Sequence, residues 1–116
     1  MQEFKNRVAF ITGSAHGFGK AIALEAAARG MKLVLVDQDS ESLSKVASDA
    51  ESKGVEVLKI VADVTEEENV DKAVRDAMVK FGAINLLVND AGVAVPGPIW
   101  ELPSRDWEWI LHADLM

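Results

Sequence analysis

Thr12-Gly13-Ser14-Ala15-His16-Gly17-Phe18-Gly19 sets three glycines in one short turn, between a β-branched apolar run and an amphipathic stretch. In a strand-turn-helix unit, that is where backbone N–H groups and the positive end of the helix dipole converge on an anion. A diphosphate suits such a site. Each missing Cβ lets the backbone turn sharply or approach the ligand, where a side chain would hold the phosphates away. The bland alternative is a structural turn that binds nothing, and the strand and helix around it weigh against that. Two other phosphate loops fail on spacing: a P-loop ending at Gly19-Lys20 would need glycine at Ser14 and a hydroxyl at Ala21, and a G-x-G-x-x-G begun at Gly17 would need a small residue at Ile22.

No metal site is expected. Asp37-x-Asp39 resembles the opening of a calcium loop, but Ser42 stands in place of its glycine and Ser48 in place of its bidentate glutamate. Glu66 to Glu68 suits the start of a helix, and His16 and His112 are too far apart to form a local zinc motif. Trp100, Trp107 and Trp109 are read as core or interface residues.

The elements that must carry the glycine turn can be read from periodicity. Val8 to Thr12, Leu33 to Val36, Val55 to Val61 and Ile84 to Val88 read as strands buried on both faces. Between them lie three helical stripes. Phe18, Ile22 and Ala26 precede Gly30; Leu43, Val46, Ala47 and Ala50 are capped by Asp39 or Ser40 and stopped by Gly54; Val70, Ala73, Val74, Ala77 and Phe81 follow a Thr65/Glu68 capping-box spacing and end at Gly82. Val93 to Pro103 holds all three prolines and reads as a loop, and Ser104 is expected to cap a fourth helix carrying Trp107, Ile110 and Leu111, which looks cut at Met116. Strands alternating with helices predict an α/β fold, a doubly wound Rossmann-type parallel sheet of order 3-2-1-4, as one domain over residues 1–116. In that order the fourth strand lies at an open edge, so self-association into a homo-oligomer is expected.

A chain of 116 residues, 49% hydrophobic and 27% charged, is long enough for one buried core and too apolar for disorder. A net charge of −7 argues against nucleic acid or an anionic membrane as partner. With no cysteine, no apolar leader and no membrane-length run, a cytoplasmic location is expected.

The glycine pattern T-G-x-x-x-G-x-G, Asp63-Val64 at the end of the third strand and Asn89-Asp90-Ala91-Gly92 after the fourth together resemble the short-chain dehydrogenase/reductase family, whose usual motif at the last position is N-N-A-G. The Trp107-centred stretch matches the next segment of the family, so the resemblance covers the whole chain and runs out at Met116, where family members continue. It implies a nicotinamide dinucleotide held by Gly13, Ser14, His16, Gly17, Phe18 and Gly19, with Asp63 on the adenine amino group, Val64 beside the ring, and Asn89, Ala91 and Gly92 bordering the adenosine ribose. Asn89 serves equally well as a sheet brace. Asp37, ending the second strand, would accept from the ribose hydroxyls and repel a 2′-phosphate. With Gln38 rather than a cation beside it, NAD is favoured over NADP. His16, where NADP-using members often carry a basic residue, points weakly the other way, and Asp37 also reads as a turn residue next to Asp39.

By the same resemblance, the family transfers hydride between nicotinamide and an alcohol or ketone, with a tyrosine, lysine and serine at the reacting centre. This chain contains no tyrosine, so it is expected to be inactive alone and to meet an alcohol or ketone only if a missing half is supplied. Asp114 falls at a family asparagine that assists catalysis; a carboxylate there cannot donate as an amide does. Asp90 departs from the family amide in the same way. The alternative reading is a stand-alone, non-catalytic dinucleotide-binding or interaction protein.

Overall fold

Alternate residues of the two central strands feed two different cores. In β1 (Val8–Thr12) and β2 (Lys32–Asp37), Ala9, Ile11, Leu33 and Leu35 point to one face, while Val8, Phe10, Val34 and Val36 point to the other. A strand that must satisfy two layers has no polar face, which is why both read as continuous apolar runs. The computed structural model describes residues 4–89 and 108–111.

The first face is covered by α1 (Gly17–Ala28) and α2 (Ser40–Glu51), the second by α3 (Glu67–Phe81). β3 (Val57–Val61) pairs with β2, and β4 (Leu86–Asn89) pairs with β1, all parallel. The expected order 3-2-1-4 is therefore present. Thr12 stands level with Val36 on one side and Asn89 on the other, so the carboxyl ends of β1, β2 and β4 open at one rim of the sheet. That rim carries the glycine turn.

Several expectations are corrected. Residues 108–111, expected within a fourth helix, form strand β5 (Glu108–Leu111), parallel to β4. The unpaired N–H and C=O groups along the edge of β4 are a template for pairing, and Trp, Ile and Leu in a short apolar run suit a strand as readily as a helix. β5 takes the edge of β4 that was expected to be open, which removes that ground for self-association. Ser104, Trp107 and the proline-rich loop lie outside the described residues. β3 is not buried on both faces, because it is itself an edge strand; Lys59 is exposed and Val61 is 50% exposed.

Helix packing shifts two further details. α1 buries Gly19, Ala23, Ala26 and Ala27, with Phe18 and Ile22 only half-buried, because small side chains let the helix lie close on the sheet. The Thr65/Glu68 capping box does not form. Thr65 instead folds back on Asp63, and α3 begins after Glu66, without a side-chain cap but with Glu67 and Glu68 in its first turn. α2 is capped by Asp39, whose side chain accepts from the Ser42 N–H, and Gly82 ends α3 in the left-handed region at φ 78°.

Candidate functional site

At the carboxyl rim, β1 runs into the turn Gly13 to His16 before α1 begins at Gly17. Gly13 and Gly17 both hold positive φ, 65° and 53°, a region costly for other L-residues. Among the described residues, a Cβ on Gly17 would meet nothing within 4 Å beyond its chain neighbours and its own helix backbone. His16, the N-cap of α1, makes no side-chain cap, and the first turn contains no acidic residue. α2 and α3 both carry glutamates there. The positive end of α1 is thus left uncompensated by its own first-turn side chains.

Asp37 closes the turn from the side of β2. Its Oδ2 accepts from the Ala15 N–H at 3.0 Å and its Oδ1 from the Asp39 N–H at 2.9 Å. The turn role and the ligand role of Asp37 are compatible, since an ionised carboxylate has about four acceptor positions and these bonds use two. Gly13 N–H donates to the Val36 carbonyl at 2.9 Å, and the buried Ser14 turns its hydroxyl inward to the same carbonyl. The Ser14 N–H donates to that carbonyl as well, at 3.4 Å, so Ser14 shapes the turn from inside. His16 Nε2 lies 2.8 Å from Asp39 Oδ2.

A cleft of about 240 Å³ opens beside the turn, lined by Gly13, Asp37, Gln38, Asp63, Val64 and Thr65. Five of these six are residues singled out from the sequence as cofactor contacts. Thr65 is the sixth; its hydroxyl and N–H both donate to Asp63 Oδ1, at 2.6 and 2.9 Å, an Asp-x-Thr turn signal that the sequence disguises as a helix cap. Those two bonds hold the Asp63 carboxyl below the usual carboxylate range. The Asp39 carboxyl is lowered as well, by the Ser42 N–H first and then by His16. A larger cleft, about 430 Å³, is lined by Lys5, Arg29, Lys32, Lys53 and Glu56 among others. It lies at the amino ends of the strands, away from the glycine turn.

Asn89 is buried at the end of β4, where its Oδ1 accepts from the Thr12 hydroxyl at 3.0 Å. It braces β1 against β4. Asp90, Ala91, Gly92 and Asp114 lie outside the described residues. Among the described residues no cluster of three or more His, Asp or Glu could hold a metal, and no helix is long and apolar enough to cross a membrane.

Known proteins share this fold. Residues 7–116 match the short chain dehydrogenase family. The chain is 60% identical over its whole length to a CLA biosynthesis dehydrogenase/reductase from Lactiplantibacillus plantarum, of which it spans 41%. Its fold superposes, with a TM-score of 0.75, on a short chain dehydrogenase/reductase from Burkholderia phymatum solved in complex with NAD; that match is 40% identical and covers 95% of this chain and 39% of the other. L-sorbose reductase from Gluconobacter frateurii, solved with NADPH and L-sorbose, matches at a TM-score of 0.72 and 35% identity, over 84% of this chain and 40% of its own. Strand order, the position of the glycine turn and the family match agree: the chain belongs to the short chain dehydrogenase family.

Proposed function

We propose that this chain is one domain that binds the adenosine and diphosphate of NAD, the cofactor-holding portion of an oxidoreductase acting on an alcohol or ketone. The observation that carries the reading is the glycine turn, leading into an α1 start with no N-cap side-chain bond and no first-turn acid, facing the Asp37 carboxylate across a cleft at the carboxyl rim. Ligands of open parallel sheets bind at that rim. When bound, the dinucleotide supplies the hydride acceptor or donor.

The chain's own residues bind and orient. The start of α1 faces the diphosphate, with Gly17, Phe18 and Gly19 beside it, while Gly13 and Ser14, whose N–H groups are held by the Val36 carbonyl, shape the turn. Asp37 accepts from the ribose hydroxyls while Gln38 lies beside it. Asp63 and Val64 form the adenine edge, and Asn89 with Ala91 and Gly92 borders the path across the sheet. NAD is preferred to NADP because a 2′-phosphate at Asp37 would meet a carboxylate in a partly dry cleft. The relative solved with NAD supports that preference, and the NADPH-bound one shows that the fold alone does not decide it.

Calorimetry on the 116-residue chain should give saturable NAD binding, with weaker or no NADP binding. A dehydrogenase assay on simple alcohols should give no turnover, since the chain has no tyrosine to serve as acid or base. Failure to bind either dinucleotide would overturn the reading, and turnover would overturn its catalytic half. Self-association is kept on narrower ground, the open β3 edge with its half-exposed Val61. Light scattering at high concentration should report a dimer or larger species, and a monodisperse monomer counts against it.

A further inference from the structure

His16 belongs to the glycine turn and Asp39 to the turn after β2, yet their side chains meet. The imidazole Nε2 lies 2.8 Å from Asp39 Oδ2, although His16 is 65% and Asp39 40% exposed. Two exposed side chains gain little from pairing unless the backbone already sets them together. Here it does. Ala15 N–H donates to Asp37 Oδ2, Asp39 N–H donates to Asp37 Oδ1, and Asp39 Oδ1 accepts from Ser42 N–H as the cap of α2. The bonds form a closed circuit from the glycine turn through Asp37 to Asp39 and back through His16.

This circuit surrounds the carboxylate that the NAD reading gives to the ribose. On that reading a phosphate on the sugar would lie beside Asp37, in a corner where the carboxylates of Asp37 and Asp39 only accept and the His16 imidazole can donate. Lys20, the nearest lysine along the chain, is exposed one turn into α1, and its N–H donates to the His16 carbonyl. Whether His16 is free or occupied therefore changes what the corner can accept.

We propose that Asp39 is a positioning residue for cofactor choice: by holding His16 it withholds the imidazole from a 2′-phosphate. This rests on the NAD reading above. It differs from the role of Asp37, because Asp39 acts through His16.

The test measures the affinities of NAD and NADP by calorimetry on the wild-type chain, Asp39→Ser, His16→Ala and the double variant. Serine keeps a good helix cap but is too short to reach the imidazole, and an unchanged helical melting curve checks that α2 survives. Asp39→Ser should raise the ratio of NADP to NAD affinity by about tenfold, the worth of one charge-assisted hydrogen bond. In the His16→Ala background the same change should move the ratio by less than about twofold. A ratio unmoved by Asp39→Ser, with NAD still bound, overturns the proposal alone. An equal rise with or without His16 also overturns it, since the carboxylate would then act by charge only. Absence of binding by the wild-type chain overturns this proposal together with the reading beneath it.

Discussion

Gly17→Val should lower NAD affinity by about 100-fold or more while leaving the chain folded. Position 17 holds φ 53°, where a β-branched residue is strained, and its Cβ would project into the space assigned to the diphosphate. Displacing that group from two N–H donors removes charge-assisted bonds of roughly 1.5–3 kcal/mol each, which sets the size of the loss. The stability cost is chiefly backbone strain, about 1–2 kcal/mol, because among the described residues the added Cβ meets nothing within 4 Å beyond its chain neighbours and its own helix backbone. Titration calorimetry and urea unfolding on the same variant separate the two effects. Wild-type affinity in Gly17→Val would mean that the turn does not hold the diphosphate.

Phe10→Ala should cause the largest loss of stability. Phe10 is fully buried at the centre of β1, packed in the α3-side core with Val34, Val36, Val70, Val74 and Leu87. Its neighbours belong to both flanking strands and to a helix, so the space it leaves cannot close by moving one side chain. A phenylalanine removed from such a site costs about 3–5 kcal/mol, against a total of roughly 5–15 kcal/mol for a domain. Urea unfolding should show a much lower midpoint at an unchanged slope. A loss under about 1 kcal/mol would show that the α3 face is loosely packed.

Much of this architecture is legible in the sequence because buried strands and amphipathic helices leave different spacings. The bounds of β1 can be read to the residue, and the glycines expected to stop the helices, Gly30, Gly54 and Gly82, all hold positive φ, although α2 already ends at Glu51 with Ser52 as its cap. The features that escape are decided by partners far away in sequence. Ile84 and Asn85 look like the start of β4, but Asn85 Oδ1 accepts the Val8 N–H and its own N–H donates to the Val8 carbonyl, so the pairing of β4 proper begins at Leu86. The Thr65 hydroxyl has two suitors, the N-terminus of α3 and Asp63, and local spacing cannot rank them. Residues 108–111 have an apolar pattern compatible with either helix or strand, and pairing along the edge of β4 settles it.

In the candidate site, residue types and spacing are enough to bring Gly13, Asp37, Gln38, Asp63 and Val64 to one cleft, because each ends a strand or follows one. The His16–Asp39 contact is not legible. It depends on how two turns 23 residues apart face each other across the rim.

The Thr12–Asn89 brace joins residues 77 positions apart. A ribosome therefore releases the sheet's central strand long before one of its two immediate neighbours exists, and during that interval Phe10 and Ile11 have only β2 beside them. Nascent chains stopped short of Leu86 should thus be prime clients for holding chaperones, and the rate of acquiring the native state should be governed by this late, non-local closure rather than by the helices.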